Sequence, residues 1–191
     1  MTRKEQKEER KQTILMTALT LFVERGYYDT RITDIAAAVP MSTGLLFHYF
    51  ASKEELLLEL VKMGIQGPGS IAYDEKIPPD VYLTGFLNSI FSFAKEQPWV
   101  FYMFVFMGQA RRVGMPEEAR RLAQSADAVT PTVKLIKKGQ ETGVFRKGDA
   151  DTMAKCFWAS VQGIMEEMSA DREMKTPDPE WIVAMLKACI L

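Results

Sequence analysis

Residues 30–50 read TRITDIAAAVPMSTGLLFHYF, and this stretch decides the fold. Apolar side chains recur at helical spacing through residues 32–39, and Thr30 is the predicted N-cap of that short helix. Pro40 ends the helix, because proline has no backbone N–H to continue it. Ser42 is then the predicted N-cap of a second short helix that reaches residue 50. Two short helices with a tight break between them have the spacing of a helix-turn-helix.

The sequence on either side of this stretch is also helical. A first helix is predicted to run from the charged start to Arg25 and to stop at Gly26, and Ser52-Lys53-Glu54-Glu55 is a capping box that opens a fourth helix. Glycines and prolines between residues 64 and 79 indicate an irregular connection. The sequence predicts five further helices, near residues 80–96, 98–113, 116–142, 149–171 and 178–190. With about nine helices and no strand alternation, the predicted fold class is all-α.

Composition and length limit the domain organisation and the compartment. The 191 residues fit a small N-terminal three-helix bundle over residues 1–50 joined to a larger helical domain over residues 51–191. A hydrophobic fraction of 47% beside 26% charged residues argues against disorder. Cys156 and Cys189 lie far apart in a chain too large to depend on one disulfide, so we expect a reducing cytoplasm.

Several function classes are disfavoured. A single histidine, His48, speaks against a histidine-based metal site or histidine-dependent catalysis, and the sequence shows no nucleophile with a base and no glycine loop for phosphate. We therefore predict no catalytic residues, no metal and no cofactor. The longest strongly apolar stretch, residues 99–107, is about half of what a membrane-spanning helix needs, so no membrane partner is predicted.

Five short motifs follow one another in the first 60 residues: Phe22-x-x-x-Gly26-Tyr27-x-x-Thr30, Asp34-Ile35-Ala36, Ser42-x-Gly44, Tyr49-Phe50 and Ser52-Lys53-Glu54. This ordered series resembles the TetR family of transcriptional repressors. The resemblance implies a homodimer that binds a double-stranded DNA operator and releases it when a small-molecule effector binds the C-terminal half. An isologous dimer in turn predicts a palindromic operator. The alternative is a helical protein-interaction module without sequence-specific DNA binding, which the net charge of −1 allows.

The resemblance also implies DNA-binding positions. Thr33 and Thr43 match places that touch base edges, Gly44 allows close approach of the backbone, and His48 and Tyr49 would face phosphates. The predicted DNA-binding set is Arg31, Thr33, Ser42, Thr43, Gly44, Phe47, His48, Tyr49 and Lys53. Lys53 is placed where its ammonium and the free N–H groups of the fourth helix can grip one phosphate.

Two positions depart from the family pattern. The turn usually reads Ala-Gly-Val, whereas here it is Val39-Pro40-Met41, so we predict a turn conformation that does not need the positive φ of glycine. Phe47 stands where a tyrosine is usual, and it has no hydroxyl to donate to a phosphate.

The C-terminal half carries two predicted surfaces. Aromatic and methionine side chains could line an apolar ligand cavity, although such clusters are more often plain core. The candidate ligand-binding residues are Phe86, Phe91, Trp99, Tyr102, Met103, Phe106, Gln109 and Gln162. Two apolar helical stripes are predicted to form the dimer interface unless they pack inward: Phe157, Val161, Ile164 and Met168, and then Trp181, Met185 and Cys189.

Overall fold

The computed structural model describes residues 2–66, 73 and 76–188. In these residues the chain forms α-helices and one isolated antiparallel bridge between Phe145 and Lys187, which confirms the all-α prediction. No helix in the described ranges is long and apolar enough to cross a membrane. The helices are α1 Arg3–Arg25, α2 Ile32–Ala38, α3 Thr43–Phe47, α4 Lys53–Ile65, α5 Pro79–Glu96, α6 Trp99–Ala110, α7 Glu117–Gln124, α8 Val129–Glu141, α9 Ala150–Ala170 and α10 Pro179–Ala184.

The helices group into two compact units. The first unit contains the described residues of Met1–Gln66 together with Tyr102–Ser125, and the second contains those of Gly67–Phe101 and Ala126–Leu191. Helix α6 therefore contributes its first three residues to the second unit and the remainder to the first. Most of the predicted irregular connection, residues 67–72 and 74–75, lies outside the described residues. The predicted boundary at residue 50 divides the chain by function, between DNA binding and ligand binding, and it stays a prediction.

The first unit is organised around the apolar face of α1, which packs on α2 and α4. Its buried side chains include the predicted stripe: Ile14, Leu15, Ala18, Leu19 and Phe22. Each of the larger side chains stabilises the unit by about 1.5–3 kcal/mol. Helix α1 ends at the predicted place, because Gly26 takes a φ of 90° and its N–H donates to the Phe22 carbonyl at 3.0 Å.

The predicted N-cap of α2 is wrong. Thr30 is buried, and its hydroxyl lies 3.1 Å from the carbonyl oxygen of Leu21 and 2.8 Å from that of Gly26, so it closes the end of α1. Arg31 occupies the cap position instead, and its backbone N–H donates to the Asp34 carboxylate at 2.8 Å. A threonine hydroxyl can serve either as an acceptor for the next helix or as a donor to the previous one, and the local sequence does not distinguish the two.

The turn between α2 and α3 is a second correction. Pro40 has a φ of 24°, and the Met41 N–H donates to the Ala36 carbonyl at 3.0 Å. This bond joins the second residue after the C-cap Val39 to the third-last residue of the helix, which is the pattern of a Schellman turn. The chain thus adopts the turn that favours glycine, with a proline at its left-handed position. A proline ring prefers φ near −65°, so the turn is strained, and it lacks one N–H.

Replacing Pro40 with glycine should therefore stabilise the protein. Relief of the backbone strain contributes roughly 1–3 kcal/mol, and the greater freedom of glycine in the unfolded chain takes back about 1 kcal/mol. We expect Pro40→Gly to raise the midpoint of thermal unfolding by a few degrees, measured by circular dichroism. A lower midpoint would show that the turn is not strained at this residue.

The second unit is built mainly from α8 and α9, with α5 and α10 packed beside them. Trp158 is half-buried within it, where the indole N–H has the Thr132 hydroxyl at 2.9 Å and the Ala128 carbonyl at 3.0 Å. The Trp158 ring makes edge-to-face contacts with Phe86 at 5.9 Å and Phe157 at 5.6 Å between centroids. Such aromatic pairs add about 0.5–1.5 kcal/mol to the area they bury.

The predicted helix over residues 116–142 is divided in two. Helix α7 ends at Gln124 and α8 begins at Val129, and the Asp127 carboxylate accepts the Thr130 N–H at 2.9 Å in the break. The aspartate thus satisfies one of the free N–H groups at the start of α8.

The last helix is shorter than predicted. Helix α10 ends at Ala184, and the chain then pairs with residues 144–146 through two backbone bonds. The Arg146 N–H donates to the Leu186 carbonyl at 2.9 Å, and the Ala188 N–H donates to the Val144 carbonyl at 3.1 Å. The backbone groups of this segment are satisfied by that pairing, so they do not need a further helical turn.

Candidate nucleic-acid interface

Helix α3 presents most of its surface to solvent. Ser42 caps it as predicted, with its hydroxyl oxygen accepting the Leu45 N–H at 3.1 Å. Leu46 is the buried residue of α3 and anchors the helix to the first unit. Two large apolar side chains are left outside, Leu45 at 41% and Phe47 at 48% exposure. The fold leaves these two apolar side chains uncovered, so this face of the helix is available to a partner.

The predicted DNA-binding residues lie on or beside the helix-turn-helix. Arg31, Thr33, Ser42, Gly44, Phe47 and His48 are exposed, whereas Thr43, Tyr49 and Lys53 are half-buried. Helices α2 and α3 pack on each other, so eight of the nine positions belong to one short segment, residues 31–49. A Cβ added to Gly44 would meet no atom within 4 Å, so nothing in the chain itself requires a glycine there.

Lys53 has a partly different environment from the predicted one. Its ammonium donates to the Tyr27 carbonyl at 2.8 Å and to the Thr30 carbonyl at 2.9 Å, and it lies 4.3 Å from the centroid of the Tyr27 ring. Burial lowers the pKa of Lys53, and the charge of Asp29 opposes that shift. Two of the three ammonium donors thus hold the loop between α1 and α2, which leaves one N–H for the predicted phosphate contact.

The start of α4 follows the predicted capping box in one half only. The Ser52 hydroxyl oxygen accepts the Glu55 N–H at 3.0 Å, as predicted. The Glu55 carboxylate, however, accepts the backbone N–H of Ala51 rather than that of Ser52.

Sequence reasoning missed the basic residues of α1. Arg3, Lys7 and Arg10 line one open cleft together with Tyr49, which follows α3, and Lys11 lies 5.4 Å from the centroid of the Phe50 ring. The signal was present, because positions 3, 7 and 10 have the four- and three-residue spacing of one helix face.

The predicted ligand-binding residues are divided between the two units. Phe86, Phe91, Trp99 and Gln162 belong to the second unit, and Tyr102, Met103, Phe106 and Gln109 belong to the first. Two of the polar members already have partners within the chain, since the Tyr102 hydroxyl donates to Glu24 at 3.2 Å and the Gln162 amide donates to Glu166 at 3.0 Å. Their role in binding a ligand stays a prediction.

The predicted dimer stripe of α9 is wrong for three residues. Phe157, Val161 and Met168 are buried in the core of their own chain, so these side chains cannot contact a second subunit. Ile164 is half-buried. On α10, Trp181 is 70% exposed and Met185 is 37% exposed, which leaves both available for an interface. Cys189 lies outside the described residues.

Comparison with known proteins relates the first unit to a family. The family model described as "Bacterial regulatory proteins, tetR family" matches residues 14–60, which contain the helix-turn-helix. HbdR of Aromatoleum sp. (strain CIB), an HTH-type transcriptional regulator, is 36% identical over 74 residues, 39% of this chain and 30% of that protein. The chain thus spans under a third of that relative.

One further relative and one solved structure match nearly the whole chain. DhaR of Mycobacterium sp. (strain GP1), an HTH-type transcriptional repressor, is 27% identical over 186 residues, covering 94% of this chain and 92% of that protein. The crystal structure of AibR in complex with isovaleryl coenzyme A and operator DNA superposes with a TM-score of 0.70 at 20% identity, covering 93% and 98% of the two chains. That likeness shows a shared fold.

Proposed function

We propose that the chain is a ligand-responsive repressor of the TetR family of bacterial regulatory proteins, whose family model matches residues 14–60, and that it binds a palindromic operator as a homodimer. It is a helix-turn-helix transcriptional regulator rather than an enzyme, as its relatives are. The observation that carries the proposal is α3, a short capped helix that buries Leu46 and exposes Gly44, Leu45 and Phe47. It acts in the cytoplasm, where the operator DNA is.

At the operator, α3 enters the major groove and α2 crosses the phosphates. Thr33 and Thr43 contact base edges, while Arg31, His48, Tyr49 and the remaining N–H of Lys53 contact phosphates. Leu45 and Phe47 offer apolar surface of the kind that packs on thymine methyl groups. Where a tyrosine would donate a hydrogen bond to a phosphate, Phe47 contacts a base instead. Phosphate contacts position the protein on the duplex, whereas base contacts distinguish sequences, so Phe47 favours sequence specificity.

The dimer surface is the exposed side of α9 and α10. Trp181 is the most exposed aromatic anchor of that surface, and Met185 lies with its sulfur 4.0 Å from the Ser160 hydroxyl oxygen of α9. Cys156, Ala159 and Gly163 are exposed on α9 and are small enough for a second copy to approach closely. An isologous dimer through this surface relates its two copies of α3 by a two-fold axis, and the palindrome mirrors that symmetry.

Release of the operator requires that effector binding moves α4. The structure supports this step at Gly64 of α4, where an added Cβ would lie 2.4 Å from the sulfur of Met107 in α6. The Gly64 backbone and the Met107 side chain thus pack directly on each other, so a shift of α6 is passed on to α4. A small apolar or amphipathic molecule that favours a different position of α6 then lowers operator affinity, and linkage makes the effect reciprocal.

Selection of binding sites from a random duplex library, followed by affinity against salt, tests the proposal. We expect enrichment of one palindrome whose affinity falls steeply with salt, because phosphate contacts release counterions. Enrichment of a single half-site without symmetry would contradict the dimer. No enrichment would contradict the DNA-binding function and favour the protein-interaction module.

A further inference from the structure

The first three turns of α1 extend beyond the core. Residues 3–13 include no buried side chain, and Ile14 is the first residue of α1 that the core covers. The family match also begins at residue 14, so these turns precede the shared DNA-binding segment. A helix of eleven residues is about 16 Å long, and an exposed helix of that length is only marginally stable on its own. Thr2 and Glu5 stabilise its start through a capping box.

The charges of this extension are segregated. At about 100° per residue, Arg3, Lys7 and Arg10 fall within an arc of about 60°. Glu5 and Glu8 fall on the opposite side of the helix. The basic arc is in line with Ile14, so it faces the same side as the core and the helix-turn-helix rather than away from them.

The basic arc forms one wall of an open cleft with a volume of about 630 Å³. Tyr49, which follows α3, is the lining residue of the cleft that lies outside α1. The lining residues are Arg3, Gln6, Lys7, Glu9, Arg10, Thr13 and Tyr49. In the part of the chain that the structure describes, neither Arg3, Lys7 nor Arg10 is within ion-pair distance of a carboxylate. With Arg3, Lys7 and Arg10 against Glu9, the lining of the cleft carries a net positive charge.

We propose that this cleft seats the phosphodiester backbone of duplex DNA next to the bases that α3 contacts. The inference rests on the proposed DNA-binding function and extends it to a surface ahead of the family motif. Two arginines and a lysine match phosphate, since guanidinium groups bind it through paired hydrogen bonds and ammonium binds it as a point charge. Gln6 adds a neutral donor, and Tyr49 links this contact to the end of α3.

The first test removes the three cations. The Arg3→Gln/Lys7→Gln/Arg10→Gln variant keeps good helix formers in α1, and Lys134→Gln/Lys137→Gln/Lys138→Gln on α8 is the control with the same change of net charge. We expect the salt slope of operator binding to become shallower by about 0.9 for each phosphate that the variant no longer neutralises, with the same preferred sequence. The control should keep the wild-type slope.

A second test acts in the opposite direction, because it strengthens the complex instead of weakening it. Glu9→Gln removes the acid that lines the cleft, and Glu8→Gln removes an acid outside it with the same charge change. We expect Glu9→Gln to tighten operator binding roughly two- to fivefold at low salt, and Glu8→Gln to do so clearly less.

The outcomes separate this inference from the proposed function. If the wild-type protein binds its operator and the triple variant on α1 keeps the slope and affinity of the α8 control, the cleft does not contact DNA, and the proposed function stands. Equal effects of Glu9→Gln and Glu8→Gln would likewise overturn the inference. If the wild-type protein binds no duplex, both are overturned.

Discussion

The Gly44→Glu variant is expected to lose roughly 100-fold or more in operator affinity and to unfold at the same temperature as the wild-type protein or a higher one. A side chain at this position meets no atom of the chain within 4 Å, so it does not disturb the fold. Glutamate also favours a helix over glycine by about 0.5–1 kcal/mol, and near the start of α3 it interacts well with the helix dipole. In the proposed complex, however, the same side chain places a carboxylate against the duplex, where like charges cost several kcal/mol.

A matched control exists on α5. Gly85 is exposed in a helix, and an added Cβ there also meets no atom within 4 Å. Gly85→Glu makes the same chemical change away from the helix-turn-helix and should leave operator binding unchanged. Affinity measured by fluorescence anisotropy and unfolding followed by circular dichroism give the two readouts. Unchanged affinity of Gly44→Glu would show that α3 does not approach DNA at this residue.

The helices around Gly44 could be predicted from the sequence because their boundary signals are local. Helix α1 ends at Gly26 and α3 begins after Ser42, and each signal acts within one turn. Thr30 and Pro40 were not predictable in this way. The role of Thr30 depends on where the Leu21 carbonyl lies in space, and the turn at Pro40 follows tertiary placement of α3 against the preference of the proline ring.

The apolar stripe of α9 shows a different limit of prediction from sequence. Helical spacing correctly grouped Phe157 and Val161 on one face, but spacing cannot say whether a face packs on its own chain or on another. Structure decides that question, because α9 packs mainly on α8 and both side chains are buried. On α10, Trp181 stays uncovered in the described residues. The proposed dimer surface on α9 therefore consists of small exposed residues, which a pattern of hydrophobic side chains does not identify.

The break between α7 and α8 shows that a local signal can be present and still be outweighed. Asp127 precedes the N-cap Ala128 and accepts the N–H of Thr130, so a polar residue does mark the start of α8. Apolar residues continue at helical spacing through the segment, and that pattern favoured a single helix over residues 116–142. Periodicity identifies the covered face of a helix, whereas the polar residues determine where it begins.

Gly139→Ala is expected to destabilise the second unit strongly, although it adds only one methyl group. The added Cβ would lie 2.1 Å from the Cδ2 atom of Phe145, far inside van der Waals contact. Phe145 is 1% exposed, and its backbone N–H donates to the Gly139 carbonyl at 3.0 Å, so the ring cannot move away freely. Overpacking of this kind costs about 1–3 kcal/mol, and we expect the upper end, with a midpoint of thermal unfolding lower by about 6–10 °C.

The control and the rescue isolate the contact between these two residues. Gly85→Ala on α5 places the same methyl group in open space, so it should stabilise the protein by up to about 1 kcal/mol through helix propensity. In a Phe145→Leu background, Gly139→Ala should cost much less than it does alone, because the smaller side chain leaves room for the methyl group. Urea unfolding of the wild-type protein, the two single variants and the double variant gives the coupling energy. Additive costs would mean that the strain lies elsewhere in α8, since two residues that compete for the same space cannot be independent.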